Sequence, residues 1–328
     1  MRLMNRIVAL GVAMGLLVST SAFPASPPMR RGINMFDGAA FWNDPTKIGT
    51  ATDDLARIHG GGFDTVRIVL NGFEHMDADN RLDPRWLVTL DEVIKAAAKV
   101  GLNVILDEHD YIICGESPDI CRPRLLAFWR QVAPRYRHAP KNVLFEILNE
   151  PNHALTAERW NALLVEALAV IRRSDPKREV IIGPTDYNNM HSLAELQLPD
   201  NDHHLLVTVH YYLPFSFTHQ GATWVKPSLV DATGVSWGSP AERAQMDAEI
   251  DAIADWGKSH RRPLLIGEFG AYDKGEMKYR AAWTAQVARE AEAHRIAWCY
   301  WDFAGGFAVF DRKRSEWITP IHEALIPK

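Results

Sequence analysis

Short apolar runs alternate with longer amphipathic stretches along this chain. Runs of this kind, bounded by turn-forming residues, are typical of buried β-strands. Eight of them predict strands at residues 32–36, 63–70, 103–106, 143–148, 180–182, 205–209, 264–266 and 296–300. Between them, helical spacing and helix-ending residues predict helices at residues 53–59, 85–100, 125–136, 157–173, 241–256 and 279–294.

The number of strand–helix units favours a closed barrel. Strands that alternate with helices pair in parallel, and eight units over residues 23–328 suit a single α/β domain with the (β/α)8 TIM-barrel fold. A doubly wound open sheet is the alternative, but it usually carries a glycine-rich phosphate turn after its first strand. Here the three glycines Gly60, Gly61 and Gly62 precede a strand, so we interpret them as a helix-ending turn.

Residues 1–22 have the three-part pattern of a secretory signal peptide. Arg2 and Arg6 precede the apolar residues 7–18, and Thr20 and Ala22 put small side chains at the positions that cleavage requires. The apolar part is too short to span a bilayer. We therefore predict a secreted or periplasmic mature protein that has no membrane contact after cleavage, with an uncleaved anchor as the alternative.

Composition and charge restrict the class of partner. The chain is 47% hydrophobic and 23% charged, which is typical of a globular protein. Loss of residues 1–22 changes the net charge from −5 to about −7, and the absence of a basic run argues against a nucleic-acid partner. The flat faces of the eleven tryptophans suit sugar rings, although most tryptophans fill core space. We expect a monomer.

Export also changes the interpretation of the three cysteines. Cys114 and Cys121 lie in one segment that contains Gly and Pro, and an oxidising compartment favours a disulfide between them. Cys299 lies in an apolar strand and has no third partner. Three free thiols are the alternative.

Two glutamates occupy equivalent places at strand ends. Glu150 follows one apolar run in Leu-Asn-Glu-Pro, and Glu268 ends another in Ile-Gly-Glu-Phe-Gly. A lone carboxylate at a buried strand end is costly unless it is paired or used, so the two predict a catalytic pair. The C-terminal ends of the strands are the rim at which (β/α)8 barrels carry their functional groups.

Alternation of side chains predicts which residues share the barrel interior with these glutamates. It places Leu148 and Glu146 on the side of the first glutamate, and Ile266 and Leu264 on the side of the second. Glu146 would lie deep in the barrel, where a structural ion pair is expected rather than a catalytic role.

Six segments, in order, resemble the active-site set of glycoside hydrolase family 5, a retaining family of clan A. They are Arg67 in Thr-Val-Arg-Ile, His109 in Leu-Asp-Glu-His, Asn149-Glu150-Pro151, His210-Tyr211-Tyr212, Glu268 in Ile-Gly-Glu-Phe-Gly, and Trp301 in Trp-Cys-Tyr-Trp-Asp-Phe. The resemblance runs over about residues 31–311, and residues 212–224 are similar to the bacterial cellulases of the family. Two departures are Asp110, where relatives often have a second His, and Asp302, where many have Glu.

The resemblance implies a secreted endo-β-1,4-glucanase, or cellulase. Such an enzyme cleaves internal β-1,4-glucosidic bonds of cellulose-like β-glucans by double displacement, with Glu150 as acid/base and Glu268 as nucleophile. The partner would be a β-1,4-linked polysaccharide or oligosaccharide. A β-mannanase is the first alternative, followed by a β-1,3-glucan or xyloglucan hydrolase, because the two departures leave sugar preference open.

Further residues are expected to support the pair. Arg67 and Tyr212 would hold Glu268 ionised, and Asn149 would bind the sugar 2-hydroxyl. Trp301 would be the floor under the sugar that precedes the cleaved bond. The other predicted substrate-binding or supporting residues are Asn34, Trp42, His109, His210 and Trp224. Trp224 belongs, together with Trp237, to the long segment 213–240, which we interpret as a binding loop.

Two other classes of function compete with this interpretation. A metal-dependent barrel hydrolase would have candidate ligands in Asp107, His109, His203, His204 and His210. The chain lacks the His-Glu-x-x-His and paired-cysteine signatures, and a retaining glycosidase needs no metal, so we expect neither metal nor other cofactor. A non-catalytic sugar-binding barrel would not need both glutamates.

Overall fold

The structure is a computed structural model that describes residues 29–35, 39–44, 46 and 48–328. The predicted signal peptide, residues 1–22, lies outside these residues, as does Phe36 at the end of the first predicted strand. Eight parallel strands close into a barrel in chain order, which confirms the predicted (β/α)8 fold. They are β1 (Arg31–Met35), β2 (Thr65–Leu70), β3 (Asn103–Glu108), β4 (Val143–Glu146), β5 (Val180–Ile182), β6 (Leu205–Tyr211), β7 (Leu264–Phe269) and β8 (Ala297–Tyr300).

Helices connect the strands on the outside of the barrel. The longer ones are α2 (Ile48–Gly60), α3 (Pro84–Val100), α5 (Pro118–Arg135), α6 (Ala157–Ser174), α10 (Pro240–His260) and α11 (Met277–Ala293). The shorter ones are α1 (Ala39–Asn43), α4 (Tyr111–Glu116), α7 (Thr185–Asn188), α8 (Phe215–Thr218), α9 (Pro227–Val230) and α12 (Thr319–Leu325). Short 3₁₀ helices lie at Gly72–His75 and Met190–Glu195, and β9 (Phe310–Asp311) pairs with β10 (Glu316–Trp317) in a small antiparallel sheet.

Local chemistry accounts for where the long helices begin. The Ser239 side chain accepts from the Glu242 N–H while the Glu242 side chain accepts from the Ser239 N–H, a capping box that starts α10. Pro at the first helical position, as in α3 and α10, fixes the backbone where its missing N–H costs nothing. No helix of the described residues is long and apolar enough to cross a membrane.

Two apolar clusters hold the barrel together. The larger one lies between the strands and the helices. The smaller one fills the barrel interior with Met29, Ile105, Leu144, Ile181, Leu206, Leu265, Ala297 and Cys299. Strand residues covered on both faces explain why the apolar runs of the sequence are nearly continuous rather than alternating.

The side-chain alternation predicted for β7 is wrong, because this strand contains a bulge. Its pairing register with β6 shifts by one residue, which leaves Gly267 as the extra residue. A bulge reverses the faces of the residues that follow it. The interior cluster therefore takes Leu265, whereas Leu264 and Ile266 pack in the outer cluster, and Glu268 still faces the interior.

The prediction for the fourth strand is partly wrong for a different reason. β4 ends at Glu146, so strict alternation does not continue to the residues beyond it. Leu148 packs in the outer cluster. Glu146 does face the interior, and its 2.7 Å ion pair with Arg67 confirms the predicted structural pairing.

The predicted disulfide is confirmed. Cys114 in α4 and Cys121 in α5 are bonded to each other, so the disulfide joins two helices that follow one another directly. Cys299 is a buried free thiol of the interior cluster.

Candidate active site

Arg67 lies at the centre of a buried polar network at the C-terminal end of the barrel. β2 carries this side chain inward, where it is fully buried. Its guanidinium donates at 2.7 to 2.9 Å to Glu146, Glu268, Asn34 and Asn149, and Asp107 lies at 3.1 Å. A buried guanidinium is stable only when its donors are satisfied in this way.

Asn34 and Asn149 connect Arg67 to the neighbouring strands. The Asn34 side-chain amide donates to the Gly267 carbonyl at 3.0 Å, which ties β1 to the bulge of β7. The Asn149 side-chain oxygen accepts from Arg67 at 2.8 Å, and its nitrogen lies 3.3 Å from His109 Nε2. Both amides are thereby held in one orientation.

His109 is held between Asp107 and Asn149. Its Nδ1 lies 2.5 Å from the Asp107 carboxylate. Burial lowers the pKa of His109 to about 4 and raises the pKa of Asp107 to about 7. The imidazole is therefore neutral at ordinary pH, and its orientation is set by the two partners.

Glu268 is surrounded by groups that donate hydrogen bonds. Arg67 lies at 2.9 Å from one carboxylate oxygen, and the Tyr212 hydroxyl donates to the other at 3.0 Å. Burial raises the pKa of Glu268, whereas the neighbouring His210 and Arg67 act in the opposite direction. Burial raises the pKa of Tyr212 well above its usual range, so its hydroxyl remains a donor.

Glu150 has fewer side-chain hydrogen-bond partners than Glu268. Its carboxylate lies 2.7 Å from His210 Nδ1. Burial raises the pKa of Glu150 to about 7. Its backbone has φ of 41°, in the left-handed region that a residue with a side chain rarely adopts. The two glutamates thus differ in their hydrogen-bond donors: Glu268 accepts from Arg67 and Tyr212, whereas Glu150 has His210 as its side-chain partner.

Asn188 is a site residue that the sequence does not predict, and its side-chain amide lies 3.2 Å from His210 Nε2. Asp186, Tyr187 and Asn188 have φ of 56°, 64° and 56°, so three successive residues of α7 are left-handed. The sequence predicts no site residue after the fifth strand. That gap is the one signal that could have pointed to this segment. Burial lowers the pKa of His210 to about 4.

Glu150, His210 and Glu268 lie close enough to one another to act on one atom. Their nearest ligand atoms are all within 4.8 Å of one another, and among the described residues they are the one group of three with metal-binding geometry. Of the other predicted ligands, His204 pairs with Glu179 at 2.8 Å, away from this site. Asp107 and His109 pair with each other instead.

Aromatic side chains form the walls around this polar centre. Trp301 stacks on His109 with ring centroids 5.8 Å apart, and Tyr111, a residue that the sequence does not predict in the site, contacts the same imidazole edge-on. Phe307 lies 6.1 Å from Tyr212 and 6.4 Å from Trp224. Aromatic side chains therefore extend from Tyr212, beside the carboxylates, through Phe307 to Trp224.

The predicted tryptophans of the rim have different positions. Trp224 is 59% exposed and contacts Tyr272 edge-on at 4.8 Å. Trp237, which belongs to the same predicted binding loop, is buried against Phe217 and offers no exposed face.

Trp42 does not lie with the predicted site residues either. It is 8% exposed and packs against Phe41 and Trp86 in the outer apolar cluster. Apolar packing between helices accounts for this indole, and a sugar ring would have no free face to stack on. The structure brings the other predicted residues together at one end of the barrel: Asn34, Arg67, His109, Asn149, Glu150, His210, Tyr212, Glu268 and Trp301.

The structure is a (β/α)8 barrel with two neighbouring glutamates at one end, an arrangement typical of glycoside hydrolases. The family model described as Cellulase (glycosyl hydrolase family 5) matches residues 24–306. The chain therefore belongs to glycosyl hydrolase family 5.

Curated relatives are longer than this chain. The Cellulase/esterase CelE of Acetivibrio thermocellus is 27% identical over 315 residues, which cover 87% of this chain and 37% of that protein. Endoglucanase A of Clostridium longisporum is 25% identical over 312 residues, which cover 87% of this chain and 58% of that protein. The chain thus spans between about a third and three fifths of these two relatives.

A solved structure, the endoglucanase Cel5A from Thermotoga maritima, is similar over nearly its whole length. It is 40% identical with a TM-score of 0.85, and the match covers 90% of this chain and 96% of that chain. Structures of Cel5A in complex with mannotriose and with cellobiose match at 38% identity and a TM-score of 0.84, over 90% of this chain and 97% of theirs.

Proposed function

We propose that this protein is a retaining endo-β-1,4-glucanase in which Glu268 is the nucleophile and Glu150 the acid/base. The observation that supports this most is the separation of the two carboxylates, whose nearest oxygens are within 4.8 Å. Retaining enzymes need carboxyl groups about 5–5.5 Å apart, whereas inverting enzymes need about 6.5–9.5 Å to admit a water.

In the first step, a Glu268 oxygen attacks the anomeric carbon and the bond to the leaving oxygen breaks. Glu150 gives its proton to that leaving oxygen, so the departing sugar leaves as a neutral alcohol. Arg67 and Tyr212 keep the attacking carboxylate ionised and aimed, at 2.9 and 3.0 Å. The product is a glycosyl ester on Glu268.

In the second step, Glu150 acts as a base. Ester formation removes the negative charge of Glu268, which favours the ionised form of Glu150. Glu150 then takes a proton from a water, whose oxygen attacks the anomeric carbon and breaks the ester bond. Two inversions give net retention of the β configuration. Asn149 is positioned by Arg67 and His109 to bind the sugar 2-hydroxyl.

The pKa of Glu150 predicts an alkaline limb in the pH profile. Burial raises this pKa to about 7, and the acid must be protonated in the free enzyme. For a substrate with a poor leaving group, kcat/KM should be about half of its maximum near pH 7 and fall about tenfold per pH unit well above it. A dinitrophenyl glycoside, whose leaving group needs no proton, is the control and should lack this limb. A profile that stays flat to pH 9 for both substrates would contradict the assignment.

The substrate is proposed to be a β-1,4-glucan. Support comes from the endoglucanase relatives and from Cel5A, which binds cellobiose. The same Cel5A binds mannotriose, so β-mannan is the second candidate. Release of reducing sugar from carboxymethylcellulose, mannan, xyloglucan and laminarin tests this. We expect the highest rate on carboxymethylcellulose; a higher rate on mannan would favour the mannanase, and no release would favour a sugar-binding barrel.

Trp224 is proposed to stack on a sugar of a polymeric substrate. Stacking on an indole contributes about 0.5–1.5 kcal/mol beyond area burial, which corresponds to about a 2- to 10-fold change in binding. Trp224→Ala should therefore raise KM for carboxymethylcellulose by about this factor and leave a short aryl cellobioside unchanged. Trp237→Ala, in the same segment but buried, is the control and should lower thermal stability instead. Loss of stability in Trp224→Ala would contradict the binding role.

We further propose that residues 1–22 direct export and that residues 23–328 form the mature catalytic domain. The charge and apolar pattern of the first residues supports this, as does the Cys114–Cys121 disulfide, because disulfides persist in oxidising compartments. The monomeric state of the mature protein stays a prediction.

A further inference from the structure

We propose that Asn152 is a positioning residue for Glu150, and that the end of α4, fixed by the Cys114–Cys121 disulfide, holds Asn152 in place. This inference rests on the proposed acid/base role of Glu150. It adds a series of contacts outside the carboxylate pair, from the disulfide through Gly115 and Asn152 to Glu150. These contacts determine the direction in which the acid/base side chain points.

The first link is the backbone of Glu150. Both Glu150 and His153 have a left-handed backbone, with φ of 41° and 48°. Residues with side chains keep this conformation only where their surroundings impose it. The Glu150 carbonyl accepts a 2.7 Å hydrogen bond from the Asn152 side-chain amide. This bond fixes the peptide that follows Glu150, and with it the direction of the side chain towards His210.

The second link is the contact of Asn152 with α4. Asn152 is buried, and a Cβ on Gly115 would lie 2.1 Å from its side-chain oxygen and 2.8 Å from the carbon that bears it. Only glycine allows this approach. The Gly115 carbonyl also accepts from the Ala154 N–H at 2.9 Å. The end of α4 therefore supports the turn that carries Glu150 in two ways, by packing against the Asn152 side chain and by a backbone hydrogen bond to Ala154.

The third link is the disulfide. It fixes Cys114, the neighbour of Gly115, to Cys121 in α5. α5 in turn contacts the same segment before the glutamate, because the Trp129 indole donates to the Ile147 carbonyl at 3.0 Å. Two helices joined by a covalent bond therefore hold the acid/base segment on both sides of Glu150.

A positioning role and a purely structural role predict different kinetics. Loss of a structural contact would lower activity on every substrate alike. A displaced acid instead slows only those substrates whose leaving group needs its proton, and a displacement of about 1 Å can cost about 100-fold. The value of kcat/KM reports the step in which the leaving group departs, so it is the parameter to compare.

The test compares kcat/KM for phenyl β-cellobioside and 2,4-dinitrophenyl β-cellobioside. For Asn152→Ala we expect a loss of about 10- to 100-fold on the phenyl substrate and less than about threefold on the dinitrophenyl substrate. Gly115→Ala, which pushes a methyl group into Asn152, and the paired Cys114→Ser and Cys121→Ser change should show the same pattern at about 3- to 10-fold. These variants keep the test valid if Asn152→Ala does not fold.

The control variant is Asn142→Ala. Its amide makes a comparable bond, to the Leu102 carbonyl at 3.0 Å, at the opposite end of the barrel. This variant should leave kcat/KM unchanged for both substrates. Equal losses on the two substrates, or no loss, in Asn152→Ala and Gly115→Ala would overturn the proposal. Glu150→Ala must itself lose more activity on the phenyl substrate than on the dinitrophenyl substrate; if it does not, the proposed acid/base role fails. If Glu150→Ala shows this difference and the other variants do not, only the positioning role is rejected.

Discussion

Glu268→Ala is expected to lower kcat about 10⁴-fold or more on a cellobioside, because the covalent step then has no nucleophile. The variant should keep its fold, since Arg67 retains Glu146 and Asp107 as partners. With 2,4-dinitrophenyl β-cellobioside, azide should enter the space left by the carboxylate and attack from the same side. The expected product is the inverted α-glycosyl azide.

Glu150→Ala is the matched control for this experiment. Here the glycosyl ester on Glu268 still forms when the leaving group needs no proton, and azide then displaces that ester. The expected product is the β-glycosyl azide, with retained configuration. The same product configuration from both variants would contradict the assignment of the two roles.

Arg67→Met is expected to destabilise the protein by about 3–5 kcal/mol, since it leaves buried carboxylates without their cation. Arg67 is fully buried and contacts Asp107, Glu146 and Glu268. The deficit in the free energy of unfolding should shrink as pH falls, because protonated carboxyl groups no longer need the guanidinium. Denaturant unfolding at several pH values measures this, and kcat should also fall because Glu268 loses a 2.9 Å partner.

Arg67→Lys separates charge from geometry in the same network. Lys keeps the positive charge but cannot form the paired bonds to Glu146, so a smaller loss of stability is expected. Arg178→Lys is a control at the other end of the barrel, where the guanidinium donates mainly to backbone carbonyls. It should lower stability without changing kcat. Full stability and activity of Arg67→Met would contradict the role given to the network.

The sequence predicts the barrel well because each strand is buried on both faces. Continuous apolar runs are therefore visible in a single sequence, and all eight correspond to strands. An inward residue within a strand, such as Arg67, and a residue directly after a strand, such as His109, are predictable for the same reason. Once a strand is located, its C-terminal end and its inward positions follow from the backbone.

Positions that depend on local backbone irregularity are less predictable. The bulge at Gly267 reverses the alternation of β7, and a glycine inside a strand pattern is the one signal that could have indicated it. Asn188 reaches His210 only because three left-handed residues turn the chain back after β5. Asn152 acts on Glu150 through a backbone carbonyl, which no residue pattern specifies.

Aromatic residues show the other limit. Trp42, Trp224 and Trp237 all follow strand ends in the sequence, and all three could line a cleft. Their exposure is decided by packing between distant segments, which buries Trp42 against Trp86 and leaves Trp224 59% exposed. The resemblance to the family implies a sugar substrate, but the structure is needed to decide which indole is available to a sugar.

The most direct test of the retaining mechanism is to trap the covalent intermediate. The fluorine of a 2-deoxy-2-fluoro-β-cellobioside slows both steps. A good leaving group speeds the first step only, so the glycosyl ester accumulates. Peptide mapping by mass spectrometry then locates the bound sugar. We predict one fluorocellobiosyl group per protein, attached to Glu268. Attachment to Glu150, or hydrolysis with inversion and no labelled peptide, would contradict the account.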